Sequence, residues 1–226
     1  MIPGFNNSAG NAQASFDAIA KNLAERQMLG RGCAYDVAIG IEWPGRTAAG
    51  YWLAEASARR SADKLREIVL KLRPRTLSIE AHSLGNLVAL HANRDGGLGV
   101  TDLVLTNAAV DDECVERGQT YFTAVDSIKG NCLILYSRND DVLGRDYRWM
   151  GSVPRNLWGW VKNKFSKSAY GDGGFGDHAL GWGGPEHGRE LVSRNVTALD
   201  GTPWCLSHSG ARDAAEFYSA WGELLK

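Results

Sequence analysis

Short runs of apolar residues alternate along the chain with longer segments in which apolar residues recur at helical spacing. The short runs predict strands, and the longer segments predict helices. Because strands joined through helices form right-handed crossovers, this alternation predicts an α/β fold, in which helices flank a mainly parallel sheet. The predicted strands are residues 37–41, 77–79, 103–105, 133–136 and 195–199.

Four segments carry the helical pattern. The first lies around residues 16–23, and the second, residues 54–72, ends before Pro74. Proline lacks a backbone N–H and its ring clashes with the preceding turn, so we expect the helix to stop there. The third helix begins at or just after Ser83, and the fourth spans residues 211–225. With no internal repeat and no break in composition, the 226 residues predict a single domain.

One region departs from this alternation. Residues from about 149 to 188 contain no strand signal but hold four of the eight tryptophans, and eight of the 27 glycines fall within residues 171–188. A connection of this length in a compact domain is usually functional or disordered. The mixture of tryptophan and glycine predicts a lid or a substrate-facing insertion; the alternative is a surface loop with no role.

Charge is nearly balanced, with 25 lysines and arginines against 26 aspartates and glutamates, a net charge of −1. No excess of cations is available to neutralise phosphates. The sequence therefore argues against nucleic acid or an anionic membrane surface as the main partner.

The four cysteines lie far apart, without a Cys-x-x-Cys pair or a Cys/His cluster of zinc spacing. They predict buried or half-buried thiols, and no metal or cofactor is implied. No stretch approaches about eighteen continuous apolar residues, and no basic-then-apolar leader opens the chain. The prediction is a protein without a membrane span, cytoplasmic by default. The cysteines are Cys33, Cys114, Cys132 and Cys205.

The strongest chemical signal is the segment Leu-Ser-Ile-Glu-Ala-His-Ser-Leu-Gly-Asn-Leu, residues 77–87. An apolar strand runs into Ser83, and a helix of small and apolar residues follows it. Ala81 and Gly85 supply the small side chains that so tight a turn requires. The serine would sit at a helix N-terminus, where N–H groups and the helix dipole favour a developing negative charge.

This segment resembles the nucleophile elbow of the α/β-hydrolase superfamily, in its serine esterase and lipase branch. Ala81 stands where glycine is usual, and alanine still meets the steric demand. The resemblance implies an α/β-hydrolase fold with Ser83 as the nucleophile. It also implies that an acid and then a histidine follow the serine along the chain.

Three aspartates are candidates for the acid that the resemblance implies. Asp140 follows the predicted strand 133–136 at the position of the superfamily's acid, with Asp141 as a close alternative and Asp111 as a more distant one. The acid accepts a hydrogen bond from the histidine Nδ1–H, which fixes its tautomer and stabilises the imidazolium.

Of five histidines, His208 lies between the last predicted strand and the last predicted helix, where the superfamily carries its catalytic histidine. His82 precedes Ser83 and is expected to point away from its Oγ. His91 is expected to be packed or exposed on the following helix. His178 and His187 flank the glycine-rich segment and are candidates for substrate contact.

Residues 1–8 resemble the His-Gly-x turn that helps build the superfamily's oxyanion hole, with Pro3 in place of the histidine. The resemblance implies that the backbone N–H groups of Phe5 and Leu84 stabilise the oxyanion. Only Met1 and Ile2 precede the turn. We therefore expect either a minimal fold that lacks the early strands or a chain whose natural start lies upstream.

Together these residues predict a serine hydrolase that cleaves carboxylic esters through an acyl-enzyme, with Ser83, Asp140 and His208 as its triad. The expected substrate is a small-molecule or lipid-like ester. Esterases, lipases, thioesterases and acyltransferases share this equipment. A non-catalytic binding protein on the same scaffold is the alternative of a different class.

Overall fold

The computed structural model describes residues 1–5, 8–45, 51–147 and 178–225. Its centre is one sheet of four parallel strands, each paired with the next along the chain. The strands are β1 Ser78–His82, β2 Asp102–Thr106, β3 Cys132–Tyr136 and β4 Val196–Asp200. The helices are α1 Ala9–Glu25, α2 Tyr51–Leu72, α3 Gly85–Ala92, α4 Phe122–Asp126, α5 Leu180–Gly183 and α6 Ala215–Leu224, with a π-helical turn at Val142–Tyr147 and 3-10 turns at Gly188–Glu190 and Gly210–Asp213.

Helices pack on both faces of the sheet, because side chains along a strand alternate between its faces. In β2, Leu103 and Leu105 pack with residues of α2 and α3, whereas Val104 packs with residues of α1 and α6. The strand β3 alternates in the same way, with Cys132 and Ile134 on one face and Leu133 and Leu135 on the other. A sheet covered on both faces explains why its strands read as continuous apolar runs. The predicted α/β fold with a parallel sheet is confirmed at this general level.

The strand β1 extends further than the apolar run that predicted it. Residues 77–79 carry the apolar signal, yet the strand continues through Glu80, Ala81 and His82. Its backbone pairs with β2 along the whole length, from Ser78 opposite Asp102 onwards. Backbone pairing with a neighbouring strand therefore carries two buried polar residues to the carboxyl edge of the sheet.

The predicted strand at residues 37–41 is wrong: the segment is irregular in the structure. Val37 is 73% exposed and Ile39 is 55% exposed, so this segment is not a buried strand. It runs beside the two-residue segment Met1–Ile2. Met1 N donates a hydrogen bond to Ile39 O, and Ile41 N donates one to Met1 O. Ile2 in turn forms a parallel bridge with Ala81 of β1. So short a neighbour cannot support a regular strand.

The four predicted helices are present, but α1 begins earlier than its apolar pattern, and the short helices α4 and α5 were not predicted. The helix α2 ends at Leu72, two residues before Pro74, as predicted. The final helix begins later than predicted, because Gly210–Asp213 form a 3-10 turn and Ala214 is extended. The helix α6 therefore begins four residues into the predicted segment 211–225.

The four cysteines are free thiols, three of them buried and Cys33 half-buried, as predicted. Among the described residues, no helix has both the length and the apolar character needed to cross a membrane. Of the predicted lid at about 149–188, residues 149–177 lie outside the described part of the chain. The remainder contains α5 and the turn at Gly188–Glu190.

Candidate active site

Ser83 occupies the turn between β1 and α3 in a left-handed conformation, with φ of +53°. Few residues other than glycine adopt this region, and they do so where the surroundings hold them. Here Ser83 N donates to Thr106 O at 3.0 Å, and Ala109 N donates to Ser83 O at 3.1 Å. The turn is thus bonded on both sides to the chain that leaves β2.

Asn86 adds a side-chain tie to the same turn. Its Nδ2 donates to Ser83 O at 2.8 Å and to Thr106 O at 3.1 Å, and the residue is fully buried. The left-handed serine is therefore held by backbone and side-chain hydrogen bonds together.

Two glycines allow the segment around Pro3 to press against this turn. A Cβ on Gly85 would lie 2.5 Å from Pro3 O and 2.7 Å from Ile2 O. A Cβ on Gly4 would lie 2.6 Å from Ser83 Cβ. The need for glycine at both positions therefore comes from close approach between residues 2–4 and the elbow.

Ser83, His208 and Asp140 form a continuous chain of hydrogen bonds. The Nε2 atom of His208 lies 2.8 Å from Ser83 Oγ, and its Nδ1 lies 2.7 Å from Asp140 Oδ2. Because a carboxylate only accepts, the Nδ1 atom carries a proton and Nε2 of the neutral ring is left to accept from the serine hydroxyl. The structure thus brings together the three side chains singled out in the sequence.

Asp140 is fully buried and its carboxylate is held by three donors. Besides His208, Asn107 Nδ2 donates to Oδ2 at 2.9 Å, and Leu143 N donates to Oδ1 at 3.0 Å. The two alternatives lie elsewhere: Asp141 is exposed, and the Oδ1 of buried Asp111 accepts from a neighbouring backbone N–H. Asp140 is therefore the acid in contact with His208.

Of the hydrogen bonds that join the His208 loop to the edge of the sheet, two lie nearest to the histidine backbone. Ser137 Oγ donates to Cys205 O at 2.6 Å, and His82 Nε2 lies 2.7 Å from His208 O. Burial is the largest cause that lowers the pKa of His82 well below its ordinary value of 6.5. His82 points away from Ser83 Oγ, as predicted, but its ring lies against His208, with centroids 4.8 Å apart.

The other three histidines have different partners. His91 Nδ1 lies 3.2 Å from Tyr121 Oη, and burial lowers the pKa of His91 to about 4. The ring of His178 packs against that of Trp182 in a tilted arrangement, with centroids 4.5 Å apart. His187 Nδ1 bonds to a glutamate carboxylate at 2.8 Å. None of these contacts involves Ser83 or Asp140.

Two backbone N–H groups were predicted to form an oxyanion hole. The Leu84 N–H precedes the first turn of α3 and meets no acceptor within the described part of the chain. Phe5 is the residue after Gly4, and Gly4 lies against Ser83. Leu84 directly follows the serine, and the role of Leu84 and Phe5 as donors stays a prediction.

A cavity of about 280 Å³ lies beside the turn at Gly4. Glu42 is the only ionisable side chain in its described lining, which is otherwise made of small, apolar or aromatic residues. The described lining comprises Pro3, Gly4, Ser8, Ala9, Ala12, Glu42, Trp43 and Pro44.

One group of described side chains has the spacing of metal ligands, namely Glu113, Glu186 and His187. It includes none of the three hydrogen-bonded residues Ser83, Asp140 and His208. The side chains of Ser83, Asp140 and His208 can themselves carry out nucleophilic attack and proton transfer.

The comparisons with known proteins give no match, whether to a family model, to a curated protein or to a solved structure.

Sequence reasoning missed Asn107 and the contact of His82 with His208. Asn107 directly follows β2 at the carboxyl end of the sheet, where functional side chains of parallel sheets gather, and this position was the available signal. The His82 contact joins residues 126 positions apart, so no local pattern reports it.

Proposed function

We propose that this protein is a serine hydrolase that cleaves carboxylic esters through an acyl-enzyme, on a minimal α/β-hydrolase scaffold. The observation that carries the proposal is the hydrogen-bonded chain from Ser83 Oγ through His208 to the buried Asp140 carboxylate. Nucleophile, base and orienting acid at these distances are the arrangement that acyl transfer to serine requires.

In the first step Ser83 Oγ attacks the carbonyl carbon of the ester while His208 Nε2 takes the hydroxyl proton. Asp140 keeps Nδ1 protonated and stabilises the imidazolium that forms. When the tetrahedral intermediate collapses, the C–O bond to the alcohol breaks and Nε2 returns the proton to the leaving oxygen. The product of this step is an ester between the acyl group and Ser83.

In the second step a water molecule attacks the acyl-enzyme. His208 Nε2 takes one water proton and then delivers it to Ser83 Oγ, so the acid is released and the serine is restored. In both steps the carbonyl oxygen becomes negative. The N–H groups of Leu84 and Phe5 are the proposed donors to it, and one such donor is worth about 3 kcal/mol of barrier.

A compact substrate suits the cavity beside Gly4. The cavity, at about 280 Å³, has room for a small acyl or alcohol group, and Trp43 forms part of its lining. Ligand sites are mainly apolar with few polar anchors, which favours an uncharged ester with a short apolar group.

The test is labelling with a fluorophosphonate, which reacts only with an activated serine. We expect wild-type protein to be labelled at Ser83, located by peptide mass spectrometry, and Ser83→Ala to be unlabelled. A panel of p-nitrophenyl esters of increasing chain length then defines the acyl preference. Folded wild-type protein that is not labelled would contradict the proposal and favour a binding protein on the same scaffold.

A further inference from the structure

His82 links the nucleophile turn to the loop that carries His208. It is the last residue of β1, directly before Ser83, and only 3% of it is exposed. Its Nε2 lies 2.7 Å from the carbonyl oxygen of His208. Because a carbonyl only accepts, His82 Nε2 carries a proton and donates it to this bond.

This bond is the one hydrogen bond that the backbone of His208 makes within the described part of the chain. The nearest other tie of the loop to the sheet, from Ser137 to Cys205 O, is three residues away. The backbone position of His208 therefore depends directly on His82.

The other ring nitrogen of His82 has no such role. Its Nδ1 is buried and has no hydrogen-bond partner among the described residues. It faces the turn at Gly4, where a Cβ would lie 3.2 Å from it. A buried polar atom without a partner is destabilising, and an apolar side chain would avoid that loss. Packing alone thus does not account for a histidine here.

The ring also stays neutral near neutral pH. Burial, followed by the nearby charges of Arg212 and His208, lowers the pKa of His82 well below its ordinary value. A neutral ring does not repel His208 when that imidazole takes up a proton, although the two rings are in contact.

We propose that His82 is a positioning residue for His208. By donating its Nε2–H to the His208 carbonyl, it holds the backbone of the base at the distance from Ser83 that the Nε2 to Oγ bond requires. The proposal rests on the proposed function. Since His82 and Ser83 are consecutive residues, one side chain ties the base to the same strand end that carries the nucleophile.

Two substitutions at His82 separate the hydrogen bond from the space that the ring fills. His82→Gln retains an N–H donor near the position of Nε2, whereas His82→Leu removes it. His91→Gln and His91→Leu are the matched controls, since His91 is half-buried, also has a lowered pKa and bonds to Tyr121 instead.

The measurements are the rate of fluorophosphonate labelling at Ser83, kcat and KM for a p-nitrophenyl ester, and thermal unfolding. We expect His82→Leu to lower the labelling rate and kcat by about 10- to 100-fold with KM within about twofold, because misplacement of the base weakens the chemical step. His82→Gln should stay within about threefold of wild type. Both His91 variants should keep the wild-type labelling rate while losing stability.

A folded His82→Leu protein with the wild-type labelling rate would overturn the proposal, and so would equal losses in the Gln and Leu variants. Nitrogen-15 NMR of the wild-type imidazoles tests it without any variant: the Nε2–H tautomer of His82 supports it, and the Nδ1–H tautomer overturns it. Wild-type protein that is not labelled at Ser83 would overturn the proposed function. Labelled wild type with an unaffected His82→Leu variant would overturn only the role of His82.

Discussion

Two histidine–carboxylate pairs in the described part of the chain have nearly the same local geometry. His208 Nδ1 lies 2.7 Å from Asp140, and His187 Nδ1 lies 2.8 Å from Glu116. In each pair the carboxylate is buried, with side-chain exposures of 0% for Asp140 and 2% for Glu116. By distance and by partner type alone, the two pairs cannot be told apart.

The surroundings of the imidazole separate them. The His208 side chain is 18% exposed and its Nε2 faces Ser83 Oγ, whereas the His187 side chain is 52% exposed and its second neighbour is the carboxylate of Glu186. A carboxylate can orient an imidazole for many purposes. Among the described residues, only the pair at the carboxyl edge of the sheet has a nucleophile in hydrogen-bond contact with its imidazole, so the third residue decides which pair is a candidate active site.

The largest expected effect separates the two histidines directly. His208→Gln removes the base in the proposed mechanism and should lower kcat for ester hydrolysis by about 10³-fold or more. His187→Gln should leave kcat within about twofold, because its described partners, Glu116 and Glu186, are outside the proposed catalytic residues. Steady-state kinetics on the two purified proteins measure both. Equal losses would mean that the pairs have been wrongly distinguished.

The next effect concerns the acid of the His208 pair. Asp140→Asn should lower kcat by about 10³- to 10⁴-fold, since an amide can donate to Nδ1 and favour the wrong tautomer. Asp141→Asn, at the exposed neighbouring position, should stay within about twofold. The comparison requires circular dichroism to show that both variants are folded. A larger loss at Asp141 than at Asp140 would exclude Asp140 as the acid.

A smaller effect is expected at Asn107, whose side-chain amide donates to Asp140. Among the described residues, no side-chain amide donates to Glu116 of the His187 pair. Asn107→Gly tolerates the local φ of +44° but removes the donor to Asp140, so kcat should fall about tenfold. Asn93 is the matched control: it is also buried, and its Nδ2 bonds to Ala124 O, away from the triad. Asn93→Gly should lower the free energy of unfolding without changing kcat.

The smallest effect is a pH dependence of stability from the His187 pair. The hydrogen bond to Glu116 and the charge of Glu116 raise the pKa of His187 above its ordinary value of 6.5. A raised folded-state pKa adds stability that is fully present below the unfolded-state pKa and is lost as pH rises through the folded-state pKa. Urea unfolding should therefore show wild type more stable than His187→Gln at about pH 5, with a smaller difference at about pH 9. An unchanged difference would show that the ion pair contributes nothing.

Much of the fold was predictable because its signals are local. The strands β2, β3 and β4 lie on apolar runs, and Pro74 marks the end of α2. The exception at residues 37–41 has a physical cause. An apolar run forms a strand only where the tertiary structure supplies a neighbouring strand long enough to pair with it, and here the two-residue segment Met1–Ile2 is the only strand-like neighbour in the described chain.

The sequence by itself determined the general α/β fold and the residues from which a serine hydrolase is proposed. A tight strand-to-helix turn needs small residues around Ser83, and an acid and a histidine after later strands are visible by position alone. Only the tertiary structure decided that Asp140, and not Asp141 or Asp111, meets His208. It also decided that His82 bonds to the His208 backbone and that Gly4 presses on the serine. These contacts join parts of the chain far apart in sequence, so they arise only when the parallel sheet brings the ends of its strands to one edge.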